Sequence, residues 1–486
     1  MSVNEATPEE STEPQPDAIA ENPLKVIWKL AWPAVTLNFL QTINSLLDTN
    51  FIQHIGRNAL TAIGSSTTTL FLLVSMSMAL GVAATAIVSR AFGAGDMDEV
   101  KEGNRKCLGF AVVAGFLLAF VAPLLAPIAA TAFVPKDAPA ARDLMINYLQ
   151  IVGLFLPAVF VIQTLAGSLR GIGDTKSPMV ISGAQIILHI ILNFLLIFPT
   201  RTVHPFGLTM TLPGANLGLN GAAWALVISG WIAALVYLFY CIRTPLGKVY
   251  NIKLPGLDWS ARIGRLAGPA ALMSFTRVTS MMMFTYILTQ VPNGDVAIGA
   301  LRPGFSVESL AFMPSFGLAI AASALVGQSL GARNPDRASK LGWIAAHQAG
   351  IVSLVMAVVI YVFAPQITNA LMGEQPAYAA ECALFLKHIA VTEVFFGYNM
   401  VLVGAQQGAG DTRSPFWLTL ITMWGIRVPL AAFLALSSVN LYFITFEHGL
   451  NMGSRGCWMA MAITQAVAGL GSVYLWKRGA WKTARA

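Results

Sequence analysis

The nine residues Arg170-Gly-Ile-Gly-Asp-Thr-Lys-Ser-Pro178 return as Gln407-Gly-Ala-Gly-Asp-Thr-Arg-Ser-Pro415, each copy ending one long apolar segment and introducing another. Other landmarks recur at nearly the same distance. Val88-Ser-Arg-Ala-Phe-Gly-Ala94 matches Val326-Gly-Gln-Ser-Leu-Gly-Ala332, Ala62-Ile-Gly64 matches Ala297-Ile-Gly299, and Leu30-Ala-Trp-Pro33 matches Leu266-Ala-Gly-Pro269, with offsets of about 235 to 238 residues. A repeat of that length holds about six spans of bilayer thickness and their loops. The chain is therefore expected to contain one six-helix bundle built twice.

Composition points the same way. Charged residues make up 11% and hydrophobic residues 56% of the chain, against roughly 25% and 45–50% in a soluble domain. The expected fold is an all-α polytopic membrane protein with twelve transmembrane helices in two bundles. Spans are predicted at about 26–50, 59–88, 107–134, 143–168, 178–198 and 220–243, then 265–290, 298–327, 341–364, 383–406, 415–436 and 456–476. The domain reading is an acidic disordered tail (1–24), an N-terminal lobe (25–243), a cytoplasmic linker (244–264), a C-terminal lobe (265–477) and a basic tail (478–486). The tail holds six acids and no base before Lys25, unlike a signal peptide.

The net charge of +7 raises the question of a nucleic-acid partner. Roughly twenty-one of the thirty Lys and Arg fall at the chain ends and in even-numbered loops, so the charge records topology in a plasma (inner) membrane with both termini cytoplasmic. No nucleic-acid partner is expected. Six is an even number, so the halves enter from the same face and form a parallel repeat about an axis along the membrane normal, as in transporters whose halves rock about a cleft. Cys107, Cys241, Cys382 and Cys457 are scattered, which indicates neither a metal site nor a disulfide framework.

Several motifs fail on context. Gly327-Gln-Ser-Leu-Gly331 fits the nucleophile-elbow pattern but ends a membrane helix, and its twin has Ala91 at the nucleophile position. No phosphate-binding loop of the ATPase type occurs, so uphill transport would draw on an ion gradient. The repeated Gly-Asp-Thr loops read as architecture: Ser177 and Ser414 stand at expected N-caps and Pro178 and Pro415 at first helical positions. Gly167 with Gly171, and Gly404 with Gly408, are small-residue pairs that allow close helix contact.

Three acids fall well inside predicted spans, where ionisable groups are costly and rarely without purpose: Asp48, Glu308 and Glu393. Asp48 lies on the first span, fifteen residues after the hinge candidate Pro33, with no base within a helical turn. It reads as a group that gains and loses a proton each cycle, or as a partly solvated helix end. The second half has Phe284 at the equivalent place, and asymmetry in a duplicated scaffold favours function. Glu308 reads as a buried ion pair with Arg302, Arg277 or Arg427, or as a functional acid. Glu393, after Lys387 and His388, is open between the same readings. His189 and Asn193 share a face of the fifth span, where the His is either a satisfied core residue or a proton relay beside Asp48. Met281 to Met283 with Phe284 and Tyr286 read as packing or as a pliable wall for flat cations, Met282 included.

With these residues in place, the chain after its tail resembles the multidrug and toxic compound extrusion (MATE) family. The matching features are Pro33 with Asp48, Val88 to Gly95, Arg170 to Pro178, Glu308 to Pro314, Val326 to Ala332 and Gly404 to Pro415. The resemblance implies ion-coupled export of organic cations through a cavity between two six-helix lobes. Members of the sodium-driven branch carry acids on helices seven and ten, where this chain has Arg277 and Phe396. It is closer to the damage-inducible branch, which keeps the first-helix Asp. Proton coupling with no cofactor, cationic small-molecule cargo and a monomeric state in the bilayer are expected. The alternatives are sodium-coupled drug efflux and a lipid-linked glycan flippase, which would gather Arg277, Arg302 and Arg427 at the cavity. A receptor or structural protein would need a sensing domain, and no loop is large enough to fold alone.

Overall fold

The computed structural model describes residues 22–135, 138–203, 210–247, 254–373, 375–441, 444–446 and 448–484. The expected acidic tail before Asn22, residues 248–253 of the expected linker and the last two residues of the basic tail lie outside the described residues.

The first half comprises α1 (Pro23–Gln53), α2 (Arg57–Gly93), α3 (Met97–Phe133), α4 (Pro139–Gly153) with α5 (Leu156–Gly171), α6 (Lys176–Leu196) and α7 (Gly218–Cys241). The second comprises α8 (Leu257–Thr289), α9 (Gly294–Gly331), α10 (Pro335–Met372), α11 (Pro376–Ala390) with α12 (Glu393–Gly408), α13 (Arg413–Leu420) continuing into α14 (Val428–Ala435), and α15 (Ser454–Arg478). Taking α4–α5, α11–α12 and α13–α14 each as one crossing gives the twelve spans in two bundles. The α4–α5 pair bends by 50°, beside Pro157, which has no N–H to continue the helix. Among the described residues nine helices, or ten with that pair, are long and apolar enough to cross a membrane. The helix α1 misses that mark because it carries Asn38, Gln41, Asn44 and Asp48.

Two short antiparallel hairpins add to the expected all-helical plan: β1 (Pro199–Val203) with β2 (Met210–Ala215), and β3 (Val439–Leu441) with β4 (Ile444–Phe446). Each joins the fifth and sixth spans of its lobe, on the face opposite the described chain ends. The helix α8 starts at Leu257, inside the stretch assigned to the linker.

Packing reveals an exchange between the lobes. Ile27 and Ala31 of α1 are buried with α9, α10, α12 and Trp476 of the second lobe, whereas Ile52 at the other end of α1 belongs to the first lobe's core. In the same way Ile263 and Leu266 of α8 lie in the first core and Phe284 and Ile287 in the second. Pro33 and Pro269 therefore sit where α1 and α8 pass from the opposite lobe into their own. Each removes one i to i−4 hydrogen bond from an otherwise continuous helix.

The repeated phrases divide into turns and seams. Gly173 and Gly410 both adopt φ +89°, a region glycine reaches without strain. Asp174 and Asp411, and not the serines, cap the following helices: their Oδ1 atoms accept from Ser177 N and Ser414 N at 3.0 Å. The helices α6 and α13 begin at Lys176 and Arg413, so Pro178 and Pro415 fall at their third positions. The small-residue pairs do allow close contact. A Cβ on Gly167 would lie 2.3 Å from Gly81 O, and one on Gly408 would lie 2.0 Å from Ser323 O. The Val88 and Val326 phrases form the seam between lobes, where Cβ atoms on Gly93 and Gly331 would lie 2.0 Å from Gln328 O and 2.1 Å from Arg90 O. Gln328 Nε2 also donates to Gly171 O at 2.9 Å and Arg262 Nη2 to Glu99 Oε1 at 2.8 Å. Among the described residues the inter-lobe hydrogen bonds all lie on the face carrying the chain ends, so that face is closed.

Candidate functional site

A helix brings residues four apart onto one face, and α1 packs against α6. That pairing aligns Asn44 and Asp48 with His189 and Asn193. Asn193 Nδ2 donates to Asp48 Oδ1 at 2.7 Å, and Asn44 Nδ2 donates to Asp48 Oδ2 at 3.1 Å. The imidazole bridges the two amides: Nδ1 lies 3.2 Å from Asn44 Oδ1 and Nε2 lies 3.5 Å from Asn193 Nδ2. A neutral ring with its proton on Nδ1 donates to the first and accepts from the second. His189 Nδ1 is 3.8 Å from Asp48 Oδ1, beyond a direct hydrogen bond. Asp48 thus has two neutral donors, and among the described residues no lysine or arginine pairs with it. Its side chain keeps 27% of its surface exposed, whereas that of His189 keeps 9%.

This cluster borders a cavity of about 230 Å³ inside the first lobe. Gln41 and Asn44 of α1 and Ser182, Gln185 and His189 of α6 line one side, and Phe155, Val159, Gln163 and Arg170 from α5 and its N-terminal edge line the other. The lining mixes amides with aliphatic and aromatic surface, as sites for amphipathic ligands do. Asn44, Gln41 and Arg170 were not anticipated as site residues. The first two could have been found by stepping back four and seven residues from Asp48 along its helical face.

The second lobe holds a separate polar cluster. Gln465 Nε2 donates to Glu308 Oε1 at 3.2 Å, and Thr392 Oγ1 donates to Gln465 Oε1 at 2.7 Å. Glu393 follows Thr392, is fully buried, and has no hydrogen-bond partner for either carboxyl oxygen among the described residues. Of the arginines expected to pair with Glu308, Arg277 and Arg302 are exposed and form no ion pair with it among the described residues, while Gln465 hydrogen-bonds the acid. Arg427 is buried and close enough to Glu308 for an electrostatic interaction. It ends a π-helical stretch, Ile421–Arg427, just before Pro429. Lys387 and His388 face elsewhere, toward Tyr361 and Leu384 O.

Other anticipated residues fall outside the cavity. Phe284 is fully buried and packs on Trp458 with ring centroids 6.2 Å apart, so it belongs to the second core. Met282 and Tyr286 are exposed on α8, and neither lines the cavity. Phe396, at one of the positions where sodium-driven relatives are expected to have an acid, packs on Phe312 at 5.6 Å. Gly327 to Gly331 continues α9 without a preceding strand, so no nucleophile elbow forms. No group of three His, Cys, Asp or Glu that could hold a metal ion gathers among the described residues.

Residues 33–195 and again 269–433 match the MatE family model, one match per lobe. The chain is similar to the "Probable multidrug resistance protein NorM" of Thermotoga maritima, 27% identical over 90% of this chain and 88% of that one. It is likewise similar to the "Multidrug resistance protein MdtK" of Edwardsiella ictaluri, at 24% identity over 89% of this chain and 91% of that one. Among solved structures, a MATE protein in complex with MaL6 superposes with a TM-score of 0.81 at 21% identity, covering 94% of this chain and 96% of that one.

Proposed function

The chain belongs to the MatE family and is a membrane transporter, not an enzyme; we propose that it is a secondary antiporter exporting amphipathic organic cations in exchange for protons. The observation that carries this reading is the setting of Asp48, a part-exposed carboxyl beside the cavity, held by Asn44 and Asn193. A carboxylate with a fixed cationic partner would be locked in one state. One held by amides can take a proton or face a cationic cargo. The names of the relatives, multidrug resistance proteins, support small organic molecules as that cargo. His189, neutral between the two amides, positions Asn44 and Asn193 in this scheme.

Glu308 and Glu393 are proposed as a second proton-exchanging pair, because both have buried carboxyl oxygens without hydrogen-bond partners among the described residues and the two acids interact electrostatically. Sodium coupling is disfavoured by Arg277 and Phe396 at the positions where the sodium-driven branch has acids. The flippase alternative, which would gather Arg277, Arg302 and Arg427, loses support because Arg427 interacts with Glu308. The protein is proposed to act as a monomer in the inner membrane with both termini cytoplasmic, a reading supported by the clustering of basic residues on the chain-end side.

The test is export of a fluorescent cation from proteoliposomes under an imposed pH gradient. Asp48→Asn should insert normally and lose gradient-driven export, since the amide keeps the shape but cannot titrate. Normal export by this variant would remove Asp48 from the mechanism.

A further inference from the structure

The cavity lining itself carries a charge. Arg170 lines the cavity from the last turn of α5. The backbone there is fixed by the turn that follows, with Gly173 N donating to Arg170 O at 2.9 Å and Gln328 Nε2 binding Gly171 O. The nearest acid along the chain, Asp174, is occupied at both oxygens, by Ser177 N at 3.0 Å and Tyr240 Oη at 3.0 Å. Among the described residues Arg170 forms no ion pair.

The turn itself does not need this arginine. The second lobe builds the same turn, with the same φ at Gly410 and the same Asp411 to Ser414 cap, and has Gln407 in place of Arg170. The guanidinium is present only in the lobe that also has Asp48. Its place along the cavity follows from Tyr237, which interacts electrostatically with Arg170 and hydrogen-bonds Ser182 Oγ at 2.8 Å. Ser182 and His189 are seven residues apart on α6, or about 10 Å along the helix. Asn44 and His189, whose atoms lie 3.1 and 3.8 Å from the Asp48 carboxyl, therefore mark one end of the cavity and Arg170 the other, with amides and apolar surface between.

We propose that Arg170 is an anion-binding, specificity-determining residue of this cavity, so that the preferred cargo is an amphipathic zwitterion with its cationic group toward Asp48 and a carboxylate on Arg170. The geometry suits the side chain: a guanidinium offers a planar fork of donors that matches a carboxylate. A cargo with a cation alone leaves that fork unpartnered and meets like-charge repulsion at one end. A zwitterion satisfies both ends with no net charge added to the cavity. This specificity rests on the exporter reading above and deepens it.

Two dyes separate the ideas. Tetramethylrhodamine carries a xanthylium cation and a free carboxylate; its methyl ester is the same cation with the anion capped. Binding of each to the purified protein is read by fluorescence polarisation at about pH 8, in detergent without anionic lipid so that no lipid phosphate competes. The wild type should bind the acid about tenfold or more tightly than the ester, the scale of a charge-assisted hydrogen bond. In Arg170→Gln, which copies the second lobe's own residue, that ratio should collapse toward one while the ester tightens. Arg170→Lys, which keeps the charge without the fork, should retain part of the preference, and the wild-type ratio stands even if the glutamine variant does not fold. Equal affinities in the wild type, or a ratio unchanged in Arg170→Gln, would overturn the proposal. If the ester is still exported under a pH gradient in an Asp48-dependent way, the exporter reading survives that failure; if neither dye binds, both fall together.

Discussion

Competition between a proton and the cargo at Asp48 gives the most demanding test of the site. The perturbation is pH, and the magnitude follows from the geometry. Asn44 and His189 line the cavity with atoms 3.1 and 3.8 Å from the Asp48 oxygens, so a cation in the cavity lies one contact further, at about 6 Å. At that distance and an effective dielectric constant of about 20, the attraction is about 3 kcal/mol, a factor of about one hundred in affinity. Protonating the carboxyl removes this attraction. Linkage is reciprocal, so a bound cation should hold off the proton by the same factor. The assay is binding of the permanently charged tetramethylrhodamine methyl ester between about pH 5 and about pH 9. Affinity in the wild type should fall toward acid by about two decades and level off, while Asp48→Asn should stay at the weak limb throughout. The response should persist in His189→Gln, because the ring hydrogen-bonds the amides and not the carboxyl. A pH-independent wild-type affinity would show that proton and cargo do not share Asp48, and a response abolished by His189→Gln would move the titration to the imidazole.

Three further outcomes are expected. The four native cysteines are all buried, so single cysteines can map the faces: an impermeant maleimide added to intact cells should label Thr200→Cys on the hairpin face and spare Lys176→Cys on the chain-end face, and the reverse pattern would invert the topology. An inward sodium gradient at clamped pH and voltage should drive no export; sodium-dependent export would refute proton coupling as the sole source. At the inter-lobe seam Gly93→Val would drive its side chain into Gln328 O; it should favour lobe separation on the chain-end face, seen as faster maleimide labelling of Ser89→Cys, and unchanged labelling would mean the seam is not what holds that face shut.

The duplication, the two bundles, the turns with glycine at φ +89° and the asymmetry between Asp48 and Phe284 were all legible in the sequence, because each depends on local periodicity or on comparing one half with the other. Even there the detail of the cap was not, since Asp174 and Ser177 both suit that role and only the backbone path decides between them. The candidate site was half legible. Asp48, His189 and Asn193 stood out as polar residues in apolar spans, yet which helix each would face, and that Asn44 would complete the bridge, depend on how α1 packs against α6. The expected salt bridges of Glu308 show the opposite case. Opposite charge suggested three arginines, but Arg277 and Arg302 remain exposed, Arg427 lies close enough to Glu308 to interact, and Gln465, far away in sequence, donates to the acid. The exchange of α1 and α8 between lobes left no local signal, because an apolar helix face reads the same whichever core it enters. Helix type and span are set by hydrogen bonds within one segment and by the apolar length a bilayer demands. Which lobe buries a face, and that Arg170 lines the cavity, is set by packing between segments far apart in the chain, and only the tertiary structure holds that information.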